Sequence, residues 1–116
     1  MTHFIKGTIA IDQGELIPFS DFENDGPMWT GEGPREIRRA VAFGTPFATP
    51  PVVQVGFSML DISNAAGARI DVTAEDIDRT GFVLRVGTWA DSRIARVRVA
   101  WIAFGSCPDE DLWEIG

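Results

Sequence analysis

Phe82-Val-Leu-Arg-Val-Gly-Thr-Trp89 and, after a short polar gap, Ile94-Ala-Arg-Val-Arg-Val-Ala-Trp-Ile-Ala-Phe104 decide the fold. Both runs alternate in the period of a strand. In the first, Phe82, Leu84 and Val86 share one face, and Thr80-Gly81 punctuates its start. In the second, Val97, Val99 and Trp101 share a face. Its other face is polar at Arg96 and Arg98 and turns apolar at Ile102 and Phe104, so one end of that strand is expected to be covered. Upstream, Arg69-Ile-Asp-Val-Thr-Ala74 alternates cleanly after the turn signal Asn64-Ala-Ala-Gly67. Val52 to Leu60 is an apolar run that begins beyond Pro50-Pro51, residues that cannot continue a central ladder. Phe4 to Asp12 and Arg38 to Phe43 add two further strands. Turn signals spaced about 8–12 residues apart predict an all-β sandwich.

Gly14 to Pro34 interrupts this pattern with four glycines and three prolines. It reads as a long structured loop rather than a helix, pinned to the body by Phe19, Phe22, Met28 and Trp29. A helix over Glu32 to Ala42, and with it a mixed α+β fold, is discounted because Gly31, Gly33 and Pro34 break its start. The expected organisation is one domain: residues 1–34 as a strand and loop on the body, 35–105 as the sandwich, and 106–116 as an acidic tail. Leu112, Trp113 and Ile115 give that tail apolar groups with which to dock.

The chain has 116 residues and a net charge of −7, from 17 acids against 10 bases, four of the acids lying in Asp109 to Gly116. That length holds one domain with one core. No basic face dominates, which disfavours nucleic acid and anionic membranes as partners. No apolar run approaches the ~20 residues needed to span a bilayer. Met1-Thr-His-Phe-Ile-Lys6 lacks the apolar stretch of a secretory signal. Cytoplasmic synthesis is therefore expected, with release or display on a particle surface as the route to an external ligand. Cys107 is the sole cysteine, so no internal disulfide forms. The acids that follow it raise a thiol pKa rather than lower it, and it reads as a small filler.

Catalytic constellations are scarce. One histidine, His3, stands near the N-terminus, and one cysteine with one histidine cannot build a zinc site. No phosphate-binding glycine pattern follows a strand. Glu75, Asp76 and Asp78 read as a solvated loop, and Asp21 to Asp25 lacks EF-hand spacing. Neither a catalytic residue, a metal nor a cofactor is expected, and a glycoside hydrolase is disfavoured.

Trp89 is different. It falls on the face opposite Phe82, Leu84 and Val86 and leads into Ala90-Asp91-Ser92-Arg93. An exposed indole beside Arg and Asp suits a sugar: the ring covers the apolar C–H face while the charged groups meet the hydroxyls. Arg69 starts its strand at a loop and points to a polar face. The plainer alternative has Trp89 capping the core edge and Arg69 pairing with an acid, and composition alone favours it, since most tryptophans are substantially buried.

Arg35 to Phe43, Phe47-Ala-Thr-Pro-Pro-Val-Val53, Leu60-Asp61, Arg69, Thr80-Gly-Phe82, Thr88-Trp89 and Val99 to Ala103 together resemble the H-type lectin domain, the family of snail agglutinins and the C-terminal domain of discoidins. The match runs from about Arg35 to Gly105. The resemblance implies a six-stranded antiparallel β-sandwich that forms a homotrimer, or a dimer of such trimers. It implies galactose or N-acetylgalactosamine-type glycans held in clefts between protomers. On it, Arg69 hydrogen-bonds a sugar hydroxyl, Trp89 lies against the sugar, and Glu32 is an acidic acceptor from a neighbouring protomer. The family position after the tryptophan is often a histidine; here Ala90 removes that wall, leaving Asp91 and Thr30 as added polar groups. The spacing of Arg69, Gly81 and Trp89 reverses the preference for the plainer role. The competing reading is a structural or adhesin module, a spike or fibre component of a phage-like particle or cell-surface assembly, using the same sandwich to join proteins.

Overall fold

The computed structural model describes residues 1–107. The expected tail contacts of Leu112, Trp113 and Ile115 lie outside the described residues. Six strands form two antiparallel three-stranded sheets: β1 (Ile9–Leu16), β6 (Ile94–Ser106) and β3 (Val52–Ile62) in the order β1-β6-β3, and β2 (Arg35–Ala42), β5 (Gly81–Thr88) and β4 (Ile70–Glu75) in the order β2-β5-β4. The all-β sandwich expected from the alternation is what forms.

The two deciding runs are the central strands of the two sheets. Leu84, Val86, Val97 and Val99 are fully buried between the layers. Burying an aliphatic side chain of this kind stabilises the fold by about 1.5–3 kcal/mol. At one end of the sandwich, Phe43 packs edge-on to Phe47 (centroids 5.1 Å apart), and Phe82 packs edge-on to Trp101 (5.5 Å). The opposite end holds the loops that leave β5 and enter β4.

The first half of the chain departs from expectation in detail. The N-terminal strand runs from Ile9 to Leu16 rather than from Phe4 to Asp12. Gly7 stands in the left-handed region at φ 78 and turns the chain just before pairing begins. Ile9 then pairs with Ser106. The second strand starts at Arg35, three residues before the expected Arg38, because pairing with β5 continues to Thr88.

The segment after β1 is not a plain loop. It contains two single helical turns, α1 (Asp21–Asn24) and α2 (Pro27–Thr30). The buried Asp21 carboxylate accepts the Met28 N–H at 2.9 Å, and Pro27 starts α2 where its missing N–H costs nothing. Met28 is fully buried and Phe19 nearly so, which pins the segment as expected, whereas Phe22 is 60% exposed. Trp29 packs edge-on against Phe22 at 5.2 Å.

Candidate functional site

Antiparallel register builds the site. Ile70 pairs with Thr88, so the residues just outside that pair, Arg69 and Trp89, emerge at the same end of the β4–β5 ladder. Alternation turns Trp89 outward, and it is 44% exposed. It does not cap the core edge.

The backbone of Arg69 is clamped on both sides. Its N–H donates to Ser92 Oγ at 2.9 Å, and its carbonyl accepts the Thr88 hydroxyl. Ser92 and Thr88 are buried, so these bonds exchange little with water. Ser92 N–H also donates to the Trp89 carbonyl at 3.4 Å. The two strand ends are thus tied through one serine.

On this frame the Arg69 guanidinium reaches Asp91 Oδ1 at 3.2 Å. Their side chains are 47% and 69% exposed. A pair so wet is worth about 0–1 kcal/mol, so both groups exchange their mutual contact for a ligand hydroxyl at little cost. Between Trp89 and Asp91, Ala90 adopts the left-handed conformation at φ 59. For a residue with a Cβ this costs about 1–2 kcal/mol. It turns the Ala90 carbonyl toward the segment before β2.

There the carbonyl accepts the Gly33 N–H at 2.9 Å and Arg35 Nη2 at 3.1 Å. The same Arg35 guanidinium donates to the carbonyls of Gly33 (2.8 Å), Pro27 (3.0 Å) and Met28 (3.4 Å). One planar fork with five donors therefore fastens α2, the Gly31–Gly33 turn and the Trp89–Ala90 loop together. Sequence reasoning does not single out Arg35, Ser92 or Thr88 for the site. No local pattern distinguishes an arginine whose donors meet four backbone carbonyls from one in solvent.

The structure joins Arg69, Trp89, Ala90 and Asp91 into one cluster. Glu32 is exposed and makes no hydrogen bond or ion pair with the described residues, while its neighbour Gly33 is bonded to Ala90. The Thr30 hydroxyl is exposed and donates to the carbonyls of Asp25 (3.1 Å) and Gly26 (3.0 Å), which leaves its lone pairs to accept. Neither Glu32 nor Thr30 contacts the cluster through a hydrogen bond within the described residues.

Beside Trp89 a cleft of about 330 Å³ opens onto the outer face of β2-β5-β4. Pro34, Gly87, Glu36, Asp71 and Arg85 line it with the indole. Arg85 donates from Nε to Glu36 and lies 3.4 Å from Asp71 Oδ2. The Arg85 hydrogen bond is the main influence holding the Glu36 carboxyl below its ordinary pKa of 4.5; partial desolvation opposes it and Arg38 adds to it. Among the described residues, no group of three or more His, Cys, Asp or Glu is placed to hold a metal ion, and no helix is long and apolar enough to cross a membrane.

The H-type lectin domain family matches residues 38–104. The chain is 48% identical over 111 residues to the "ATP synthase subunits region ORF 7" protein of Fuscovulum blasticum, covering 96% of each. It is 35% identical over 75 residues to a discoidin-1 polypeptide of Dictyostelium discoideum, covering 64% of this chain but 30% of that protein. Its fold superposes on discoidin II of the same organism with a TM-score of 0.75 at 22% identity, over 90% of this chain and 40% of that one.

Proposed function

This chain belongs to the H-type lectin domain family, and from that premise we propose that it is a carbohydrate-binding protein that holds galactose-type or related glycans at Arg69 and Trp89 without transforming them. The observation that carries the reading is the half-exposed Trp89 indole beside a loosely paired Arg69–Asp91 on a clamped backbone. The indole covers the C–H face of a sugar ring, and Arg69 donates to a hydroxyl while Asp91 accepts from one. Rigid donors lose little freedom on binding, which favours affinity from a shallow site.

The binding unit in this proposal is a homotrimer with clefts between protomers. The outer face of β1-β6-β3 supports it: Ile9 and Ile11 are 52% and 67% exposed, Val52 is exposed, and Ile102 and Phe104 beside them are half-buried. A contiguous apolar patch of this kind marks a protein contact. The unengaged Glu32 is then the acceptor offered to a neighbour's sugar, and Thr30 a further acceptor. Three sites on one rigid body gain avidity on a repetitive glycan. The same apolar face also suits a larger assembly, in which the sandwich acts as a spike or adhesin component.

A glycan array tests the function. Wild type is expected to bind a set of galactose-type glycans, and Trp89→Ala and Arg69→Ala, folded by circular dichroism, are expected to lose them. Mass measurement in solution is expected to give a trimer. Array binding untouched by either substitution would refute the site.

A further inference from the structure

The cleft beside Trp89 contains groups that the first sugar does not use. Arg85 projects from the outer face of β5, midway across β2-β5-β4. Glu36 on β2 and Asp71 on β4 stand on either side of its guanidinium. Its side chain is 28% exposed, low for an arginine on a solvent-facing sheet. Gly87 is the reason. A Cβ there would come 2.9 Å from Arg85 Nη2 and 3.1 Å from Nη1, so glycine gives the guanidinium room to lie over the strand at this position.

Arg85 directs Nε to Glu36 and Nη1 to Asp71, which leaves Nη2 without a protein acceptor among the described residues. Asp71 Oδ1 likewise accepts no bond from them, and its side chain is 51% exposed. An open donor and an open acceptor therefore line the same cleft of about 330 Å³ as the indole. The other arginine of the cleft, Arg35, contributes nothing here, because its donors are engaged by backbone carbonyls.

We propose that this cleft is a second sugar subsite, contained within one protomer, which takes a neutral hexose linked to the sugar held at Arg69 and Trp89. It rests on the carbohydrate-binding reading above. Neutrality follows from the charges. Glu36, Asp71 and Glu75 surround Arg85, and Arg38 pairs with Glu36 and Glu75, so three carboxylates face two guanidiniums that are both already engaged, and an anionic sugar meets the excess negative charge. A neutral ring offers hydroxyls that accept from Nη2 and donate to Asp71, and its apolar face lies on the near edge of the indole.

Calorimetry on the intact protein with galactose, lactose and lactobionate tests the subsite; lactobionate replaces the second ring by an open-chain acid. Wild type is expected to bind lactose about tenfold more tightly than galactose, as one or two charge-assisted hydrogen bonds allow, and lactobionate more weakly than lactose. Arg85→Ala is expected to bring the lactose-to-galactose ratio close to one. Gly87→Ala retains the charge but displaces the guanidinium, and it is expected to lower the ratio part of the way. Galactose binding with no lactose advantage, a ratio unchanged in both folded variants, or a preference for lactobionate overturns the subsite alone. If none of the three sugars binds wild type, the galactose-type reading falls and the subsite with it.

Discussion

At one end of the sandwich Phe43, Phe47, Phe82 and Trp101 pack ring against ring; at the other, Arg35, Thr88 and Ser92 hold loops together through backbone hydrogen bonds. The first end is dry and non-directional, and its rings are rigid because they fill space. The second is directional, and its side chains fix where particular carbonyls and N–H groups sit. Among the described residues, only the second leaves a tryptophan half in water. A small sandwich divides its work: apolar burial supplies stability at one end, and hydrogen bonds supply geometry at the other, the end proposed to meet the glycan.

Breaking each end in turn is expected to separate stability from binding. Phe82→Ala removes a buried ring from the aromatic cluster and is expected to cost about 3–5 kcal/mol in denaturant unfolding, with glycan affinity per folded molecule little altered. Arg35→Ala attacks the opposite end. It removes a guanidinium donor from the carbonyls of Pro27, Gly33 and Ala90, the first and last of which keep the N–H of Gly31 and of Gly33, and a loss of about 1–3 kcal/mol is expected. In this case glycan binding is expected to fall as well, because the Trp89–Ala90 loop loses one of its tethers. Arg35→Lys is expected to recover little of either, since a single ammonium cannot span carbonyls that a planar fork reaches together.

Acid sharpens the comparison further. The carboxyls of Glu36 and Asp78 are held below their ordinary values of 4.5 and 3.8, the first mainly by Arg85 and the second by the Thr80 hydroxyl and the N–H groups of Thr80 and Gly81. A depressed carboxylate contributes stability above its unfolded pKa, and that contribution disappears as pH falls through the folded pKa. Stability is therefore expected to be level from neutral pH down to about 5 and to decline at more acid pH, with Phe82→Ala showing the same acid limb as wild type. The smallest effect concerns Ala90. Histidine tolerates left-handed backbone better than most residues, so Ala90→His is expected to change stability by less than about 1 kcal/mol and to tighten galactose binding several-fold by adding a wall.

The two ends also differ in how legible they are in the amino-acid sequence. Alternation in Phe82 to Trp89 and Ile94 to Phe104 predicts both central strands, their inward faces and the outward turn of Trp89, because apolar periodicity is a local signal. Asp91 beside Arg69 follows once those strand ends are brought together. The hydrogen bonds that shape the site are not local. Arg35 reaches Ala90 across 55 positions, and Ser92 meets Arg69 across 23. A serine in a polar turn carries no mark of being buried. The helical turns at Asp21–Asn24 and Pro27–Thr30 are equally hidden, being too short for periodicity and held by Asp21 across seven positions.

Sugar is expected to meet the hydrogen-bonded end of the sandwich and not the aromatic one. The most direct measurement is a galactose titration of nitrogen-15-labelled protein, following the tryptophan indole N–H and arginine Nε–H resonances. Saturable shifts are expected at Trp89 and Arg69, with Trp101 unmoved. Saturable shifts confined to Trp29 or Trp101, with Trp89 silent, would contradict that placement.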